Sequence, residues 1–212
     1  FITQPLPIGG VSIVVITVAA LTGTLKIGEA ISGFANSAIW LIVGAFLFSR
    51  GFIKTGLGKR IAYNLIAAFG SSSLRLSYAL ALSDLILAPA TPSNTARVGG
   101  VIMPITTSLA KAFGSEPQDG PRKIGSFLMQ SIYQVNTITS AMFQTSMAGN
   151  TLVAALALQS FGIGITWGDW AMAAIVPGII ALIIMPYFIY KVYPPEIKDA
   201  REAQQMIREE LK

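Results

Sequence analysis

Cysteine and histidine are both missing from this chain, and charged residues make up only 12% of it. Without them there is no disulfide, no thiolate nucleophile and no imidazole acid or base, and transition metals lose their commonest ligands. Redox and zinc chemistry are therefore disfavoured. An ordinary soluble domain carries about 25% charged residues. Here 53% of the residues are hydrophobic and the mean hydropathy is +0.63, which places the 212 residues in the integral membrane class. The net charge of +5 invites a nucleic-acid reading. The Lys and Arg residues, however, sit in short segments between apolar runs, the pattern of cytoplasmic loops. The lipid bilayer is the expected partner, and no nucleic acid. The first residues, FITQPLPIGG, offer neither an initiator Met nor a basic region. No signal peptide is read there, and the start is expected to be a cut inside a longer protein.

A bilayer core of about 30 Å needs roughly 20 apolar residues in a helix. Within residues 1–53, the runs 8–25 and 35–53 meet that length, with Arg50 near enough to one end to snorkel. Residues 54–73 hold Lys54, Lys59 and Arg60 without an acid, which assigns them to the cytoplasmic side. Ile61, Leu65, Ala68 and Phe69 recur at helical spacing over a run too short to cross. That fits a helix lying in the interface, or else a loop with one helical turn. Residues 74–113 form two apolar arms around a polar centre, a hairpin that is either spanning or re-entrant. A cytoplasmic loop is expected at 114–123, because Lys111, Arg122 and Lys123 lie at the end of the second arm and beyond it. The run 124–161 is too long for one plain span and barely enough for two; one span broken in its polar middle keeps Lys191, Lys198 and Arg201 inside. A further span is expected at 170–193. Pro194 and Pro195 end it, and 196–212 is expected to form a charged helix, an interfacial arm within the segment 194–212.

The hairpin centre reads PATPSNTARVGG, residues 89–100. Backbone without helical hydrogen bonds is tolerated at membrane depth only where protein buries it or a wet cavity lies beside it. Pro89 and Pro92 free backbone groups, and Thr91, Ser93, Asn94 and Thr95 add hydroxyl and amide groups. Such a tip can offer oxygens to a small cation and N–H groups to an anion, helped by helix dipole ends. A second hydroxyl-rich break is expected between Thr137 and Asn150, and two such breaks in neighbouring segments suggest one shared site. Tight packing and a simple kink are the alternative. Two charges lie inside the apolar arms, Asp84 and Arg97. Arg97 is either a substrate carboxylate anchor or seat-filler for a cation, or it pairs structurally with Asp84 or with carbonyls. The role of Asp84 stays open.

SNTA at 93–96, within the longer APATPSNTARVGGVIMPI, resembles the signature of the divalent anion:sodium symporter (DASS) family, in its citrate/succinate antiporter and 2-oxoglutarate/malate translocator branch. The order of the flanking elements, through PPEIKDA, agrees with it. The resemblance implies an all-α integral membrane protein with a re-entrant helical hairpin and a broken helix, one half of an inverted-repeat transporter. It implies secondary transport of di- and tricarboxylates by an elevator motion in a homodimer, with residues 1–53 as part of a scaffold. Ser93, Asn94, Thr95, Arg97 and Thr145 are then expected at the substrate, and Ser93, Asn94, Thr139 and Ser140 at sodium if sodium couples transport. No other cofactor is expected.

Only one SNT is present. The symporters continue their SNT with small residues, whereas here Arg97 follows Ala96, which favours exchange of carboxylates over sodium-driven uptake. A sodium-coupled symporter is the runner-up, and a non-transporting membrane subunit is the reading from another class. An enzyme is the weakest reading, since no nucleophile and base are visibly paired. A bacterial plasma membrane is the expected location, with an organelle envelope as the other option.

Overall fold

The structure is a computed structural model that describes residues 6–211. Every regular element among the described residues is helical, and the one β contact is an isolated antiparallel bridge between Ser72 and Asp199. The chain divides into two compact units at Val43 and Gly44.

The first unit holds α1 (Ile8–Leu21), the single turn α2 (Ile27–Ala30) and a short 3-10 turn, Ser32–Ala35. The expected 8–25 span ends early, at Leu21, because the chain leaves the helix at Gly23, whose φ of +70° favours a residue without Cβ. Asn36 then caps the next helix through its Oδ1, which accepts from the Ala38 amide at 2.9 Å. That helix, α3 (Ser37–Lys54), runs through the division between the units.

The second unit is built around two partly polar helices, α5 (Ser73–Leu87) and α8 (Gly125–Met142), with the apolar α10 (Trp167–Val192) against them. α3 and α10 are the two described helices long and apolar enough to cross a membrane. In α10, Val176, Ile180 and Ile183 are more than half exposed, an apolar surface that only lipid or further protein can cover. α10 starts at Trp167, three residues before the expected span, because Thr166 and Asp169 form a capping box there. It meets α8 closely at Gly178, where a Cβ would lie 2.6 Å from Met142 Cγ.

The segment 54–73 carries α4 (Leu57–Phe69), whose Gly58, Ala62 and Ile66 form one buried row four residues apart. α11 (Arg201–Glu210) packs on α4 through Ala203 and Ile207. Gln204 and Arg208 both donate to the Ala67 carbonyl, at 2.8 and 2.9 Å. The charged helix starts five residues later than expected. Before it, the Glu196 and Ile197 amides bond the carbonyls of Arg122 and Lys123. The Ser73 hydroxyl also donates to the Ile197 carbonyl, and the Ala200 amide bonds the Ser71 carbonyl. Chain committed to those extended contacts cannot also coil.

The polar centre of 74–113 interrupts the helix as its prolines require. α5 ends at Leu87, a 3-10 turn follows at Ala88–Ala90, and Thr91 is extended. Helix resumes as α6 (Asn94–Arg97), widens into a π turn at Val98–Ile102 and continues as α7 (Met103–Ala112). Pro104 has no N–H for the carbonyl four residues back, and the widened turn has the Met103 amide donating to Val98 instead. The second break falls at Phe143–Met147, with α9 (Ala148–Phe161) beyond it. Both boundary residues are extended, Phe143 at φ −127° and Met147 at φ −147°.

Candidate functional site

Five of the residues singled out by the tip and break readings converge on one buried network. Arg97 is fully buried and Asp84 is 2% exposed. Arg97 Nε donates to Asp84 Oδ1 at 2.8 Å. Its Nη1 group lies 3.2 Å from the carbonyls of Thr91 and Ser146 and 3.4 Å from the Thr91 hydroxyl. Its Nη2 group reaches the hydroxyls of Thr139 and Ser140 at 3.3 and 3.0 Å. The guanidinium thus sits among six oxygens drawn from α5, the tip, α8 and the break. A planar fork of five donors is the side chain that can satisfy such a set at once.

The other oxygen of Asp84 accepts from the Thr139 hydroxyl and, at 3.3 Å, from Asn136 Nδ2. Removing two charges from water is costly unless both are paired and hydrogen-bonded, and here both are. Of the two readings left open for Arg97, the structure shows the pair with Asp84. No face of the guanidinium is left open toward a substrate, so direct carboxylate binding by Arg97 does not fit this geometry. The pairing also offsets its positive charge.

Thr139 and Ser140 were expected at the backbone of the break. They lie instead in the last turn of α8, still helical, and their hydroxyls face Arg97. The polar density of this stretch serves the interior network, and the break itself begins only at Phe143. Its free carbonyls are capped from the far side. Ser146 Oγ lies 2.6 and 2.7 Å from the Ser140 and Phe143 carbonyls and gives its one proton to either, while Asn150 Nδ2 donates to the same two at 2.8 and 2.9 Å. These donors satisfy carbonyls that the end of a helix leaves unpaired.

At the tip, the Ser93 hydroxyl caps the resumed helix by accepting from the Ala96 amide at 3.1 Å. Asn94 Oδ1 accepts from the Thr95 amide at 2.9 Å, with the Thr95 hydroxyl 3.5 Å away. Among the described residues, Asn94 Nδ2 donates to no acceptor. Asn94 is half-buried and Thr95 exposed. The Ala148 amide, at the start of α9, bonds the Pro92 carbonyl at 2.9 Å, which brings the first turn of α9 beside the first turn of α6. The Thr95, Ala96 and Ala148 amides are already bonded within the protein, so the positive ends of the two helices and the unengaged Asn94 amide are what this place offers to an anion. Thr145 does not join them as a free donor, because its hydroxyl donates to the Pro89 carbonyl at 2.7 Å.

Of the set expected at sodium, Ser93 caps a helix, Asn94 Oδ1 is taken by the Thr95 amide, and Thr139 and Ser140 are engaged by Arg97. No group of three His, Cys, Asp or Glu side chains is placed to hold a metal ion among the described residues. Sequence reading missed Asn136, Ser146 and Asn150. A signal for Asn150 was present: Asn150-Thr151 opens α9 as Asn94-Thr95 opens α6.

The family model described as "Sodium:sulfate symporter transmembrane region" matches residues 1–212. YflS of Bacillus subtilis (strain 168), a protein named for malate transport, is 57% identical over 213 residues, covering all of this chain and 45% of that protein. Dicarboxylate transporter 1, chloroplastic, of Spinacia oleracea is 49% identical over 211 residues, 99% of this chain and 37% of that protein. Inner membrane protein YbhI of Escherichia coli (strain K12) is 51% identical over 176 residues, 83% of this chain and 37% of that protein. The chain spans less than half the length of these relatives. Those named by activity are transporters, not enzymes.

Proposed function

The chain belongs to the sodium:sulfate symporter transmembrane family, an integral membrane family, and from that premise we propose that the protein exchanges one dicarboxylate for another across the membrane. The substrate class follows the relatives named for malate and dicarboxylate transport. The observation that carries exchange without sodium is the guanidinium of Arg97 inside six protein oxygens. A cation would be held by carbonyl, hydroxyl and carboxylate oxygens of this kind. Arg97 fills that seat permanently, and Asp84 offsets its charge. The tip and the break are thus tied together through this one side chain.

In this reading the substrate carboxylate rests on Asn94 Nδ2, Thr95 and the first turns of α6 and α9. The hairpin is re-entrant, and the site is completed by a second, inverted repeat. Transport follows an elevator motion within a homodimer, in a bacterial plasma membrane. Citrate and 2-oxoglutarate share the two-carboxylate pattern and are accepted more weakly or more strongly according to that second half-site.

The test is uptake of labelled malate into liposomes holding the full-length protein, with and without internal dicarboxylate, in sodium and in potassium buffer. Exchange predicts uptake that needs internal dicarboxylate and is equal in both buffers. Uptake into empty vesicles that needs external sodium would overturn it. Competition by sulfate and not by succinate would overturn the substrate class.

A further inference from the structure

The break between α8 and α9 is held from outside by two tryptophans that the substrate reading does not use. Trp167 and Trp170 lie three residues apart in the first turn of α10, on one face. Trp170 Nε1 donates to the Ala141 carbonyl at 2.9 Å, one of the last carbonyls of α8, which have no partner within the helix. Trp167 stacks on Phe143, the first residue of the break, with ring centres 5.8 Å apart and an angle of 15°. Its Nε1 donates to the Thr145 hydroxyl at 3.0 Å.

The same hydroxyl carries a second bond, to the tip. A hydroxyl has a single proton. The Pro89 carbonyl can only accept, so it takes that proton at 2.7 Å, while Trp167 donates to a lone pair of the same oxygen and braces it. Pro89 opens the tip, and three residues later the Pro92 carbonyl accepts from Ala148 at the start of α9. The tip and the break are therefore tied at two points, one of them braced by an indole. Because a carboxylate accepts hydrogen bonds only, Thr145 has no proton left for a substrate.

We propose that Trp167 is a positioning residue for substrate. Through Thr145 and Pro89 it sets the spacing between the Asn94 amide and the first turn of α9, and so the affinity for a dicarboxylate, without touching it. The proposal rests on the reading of this site as a dicarboxylate site.

The test uses full-length protein in liposomes and in detergent, with malate as the probe. Trp167→Phe keeps the stack on Phe143 and removes the N–H. Thr145→Val keeps the shape and removes both bonds, and Thr145→Ser keeps the hydroxyl. Losing one such hydrogen bond is expected to raise the malate Kd and the exchange KM about 3- to 10-fold in Trp167→Phe. The maximal rate per inserted transporter stays at the wild-type level. Thr145→Val shows at least that rise, Thr145→Ser restores wild-type affinity, and adding Trp167→Phe to Thr145→Val changes nothing further. Hydrogen exchange of residues 91–95 and 148–151 is faster in Trp167→Phe than in wild type. The proposal is overturned if the two substitutions multiply, or if Trp167→Phe lowers insertion or maximal rate while KM and Kd stay put. Unchanged exchange at the tip also overturns it. Wild-type protein that binds no malate overturns the functional reading itself, and that control is read before any variant.

Discussion

Arg97→Ala is the substitution with the most to say about this site. It removes a fully buried cation, leaves the Asp84 carboxylate, 2% exposed, with only the Thr139 hydroxyl and the Asn136 amide, and frees the Ser140 hydroxyl and the Thr91 and Ser146 carbonyls that the guanidinium had held. Removing one partner of a buried ion pair costs about 3–5 kcal/mol, because the other charge stays behind uncompensated. The vacated seat, however, is lined by oxygens and one carboxylate, which is what a small cation binds. Sodium at 100 times its Kd would return about 2.7 kcal/mol. The expected outcome is a destabilised variant whose thermal unfolding midpoint rises with sodium, while that of the wild type does not. Malate binding by the variant should then need sodium or potassium. The companion double variant Asp84→Leu/Arg97→Met should be more stable than Arg97→Ala alone, since apolar replacement of both partners removes the stranded charge. An Arg97→Ala protein of wild-type stability, indifferent to sodium, would mean that the guanidinium does not hold the six oxygens together.

Asn94→Ala should raise the malate KM at least about tenfold, as a site built to donate to a charged acceptor loses about 1.5–3 kcal/mol per bond; exchange kinetics in liposomes check it. Gly178→Val should destabilise the α8–α10 contact by about 1–3 kcal/mol, since a Cβ there already meets Met142 at 2.6 Å, and a lower unfolding midpoint of purified protein is the readout. The α4–α11 contact contains the pair Lys59 and Glu210 at 2.9 Å, both about half exposed. Hydrogen bonding to Lys59 lowers the Glu210 carboxyl below its ordinary range, and the same bond raises Lys59. The contribution of a carboxylate with a depressed folded value is present above the usual carboxyl range and lost as pH falls through the depressed value. An exposed pair is worth little, and the buried Ala203 and Ile207 with the bonds to Ala67 remain. Hydrogen exchange in α11 should therefore rise only slightly on acidification, and full release of α11 at mildly acidic pH would count against this packing.

Apolar length and basic flanks were enough to place α3, α4 and α10, because a membrane core imposes length and charge sidedness directly on sequence. The prolines and the SNT placed the tip for a similar reason: helix cannot continue through Pro89 and Pro92. What sequence left open was direction. Asp84 and Arg97 are thirteen residues apart across a turn of irregular backbone, and only the path of that turn decides whether they meet. The hydroxyls of Thr139 and Ser140 looked like signs of unwound chain, yet they are inward-facing side chains of intact helix answering a buried guanidinium. Thr145 was read as a substrate contact because nothing local reveals that a carbonyl 56 residues earlier will take its proton. The late start of α11 was hidden in the same way, in backbone bonds to Ser71, Arg122 and Lys123 that no helical periodicity records.

As proposed, Arg97 organises the site in place of a cation. Calorimetric binding of malate to the full-length wild-type protein, in sodium chloride and again in choline chloride at equal ionic strength, tests this. The Kd is expected to be the same in both solutions. Binding that appears only in sodium, or tightens tenfold or more with it, would show that a cation organises the site instead.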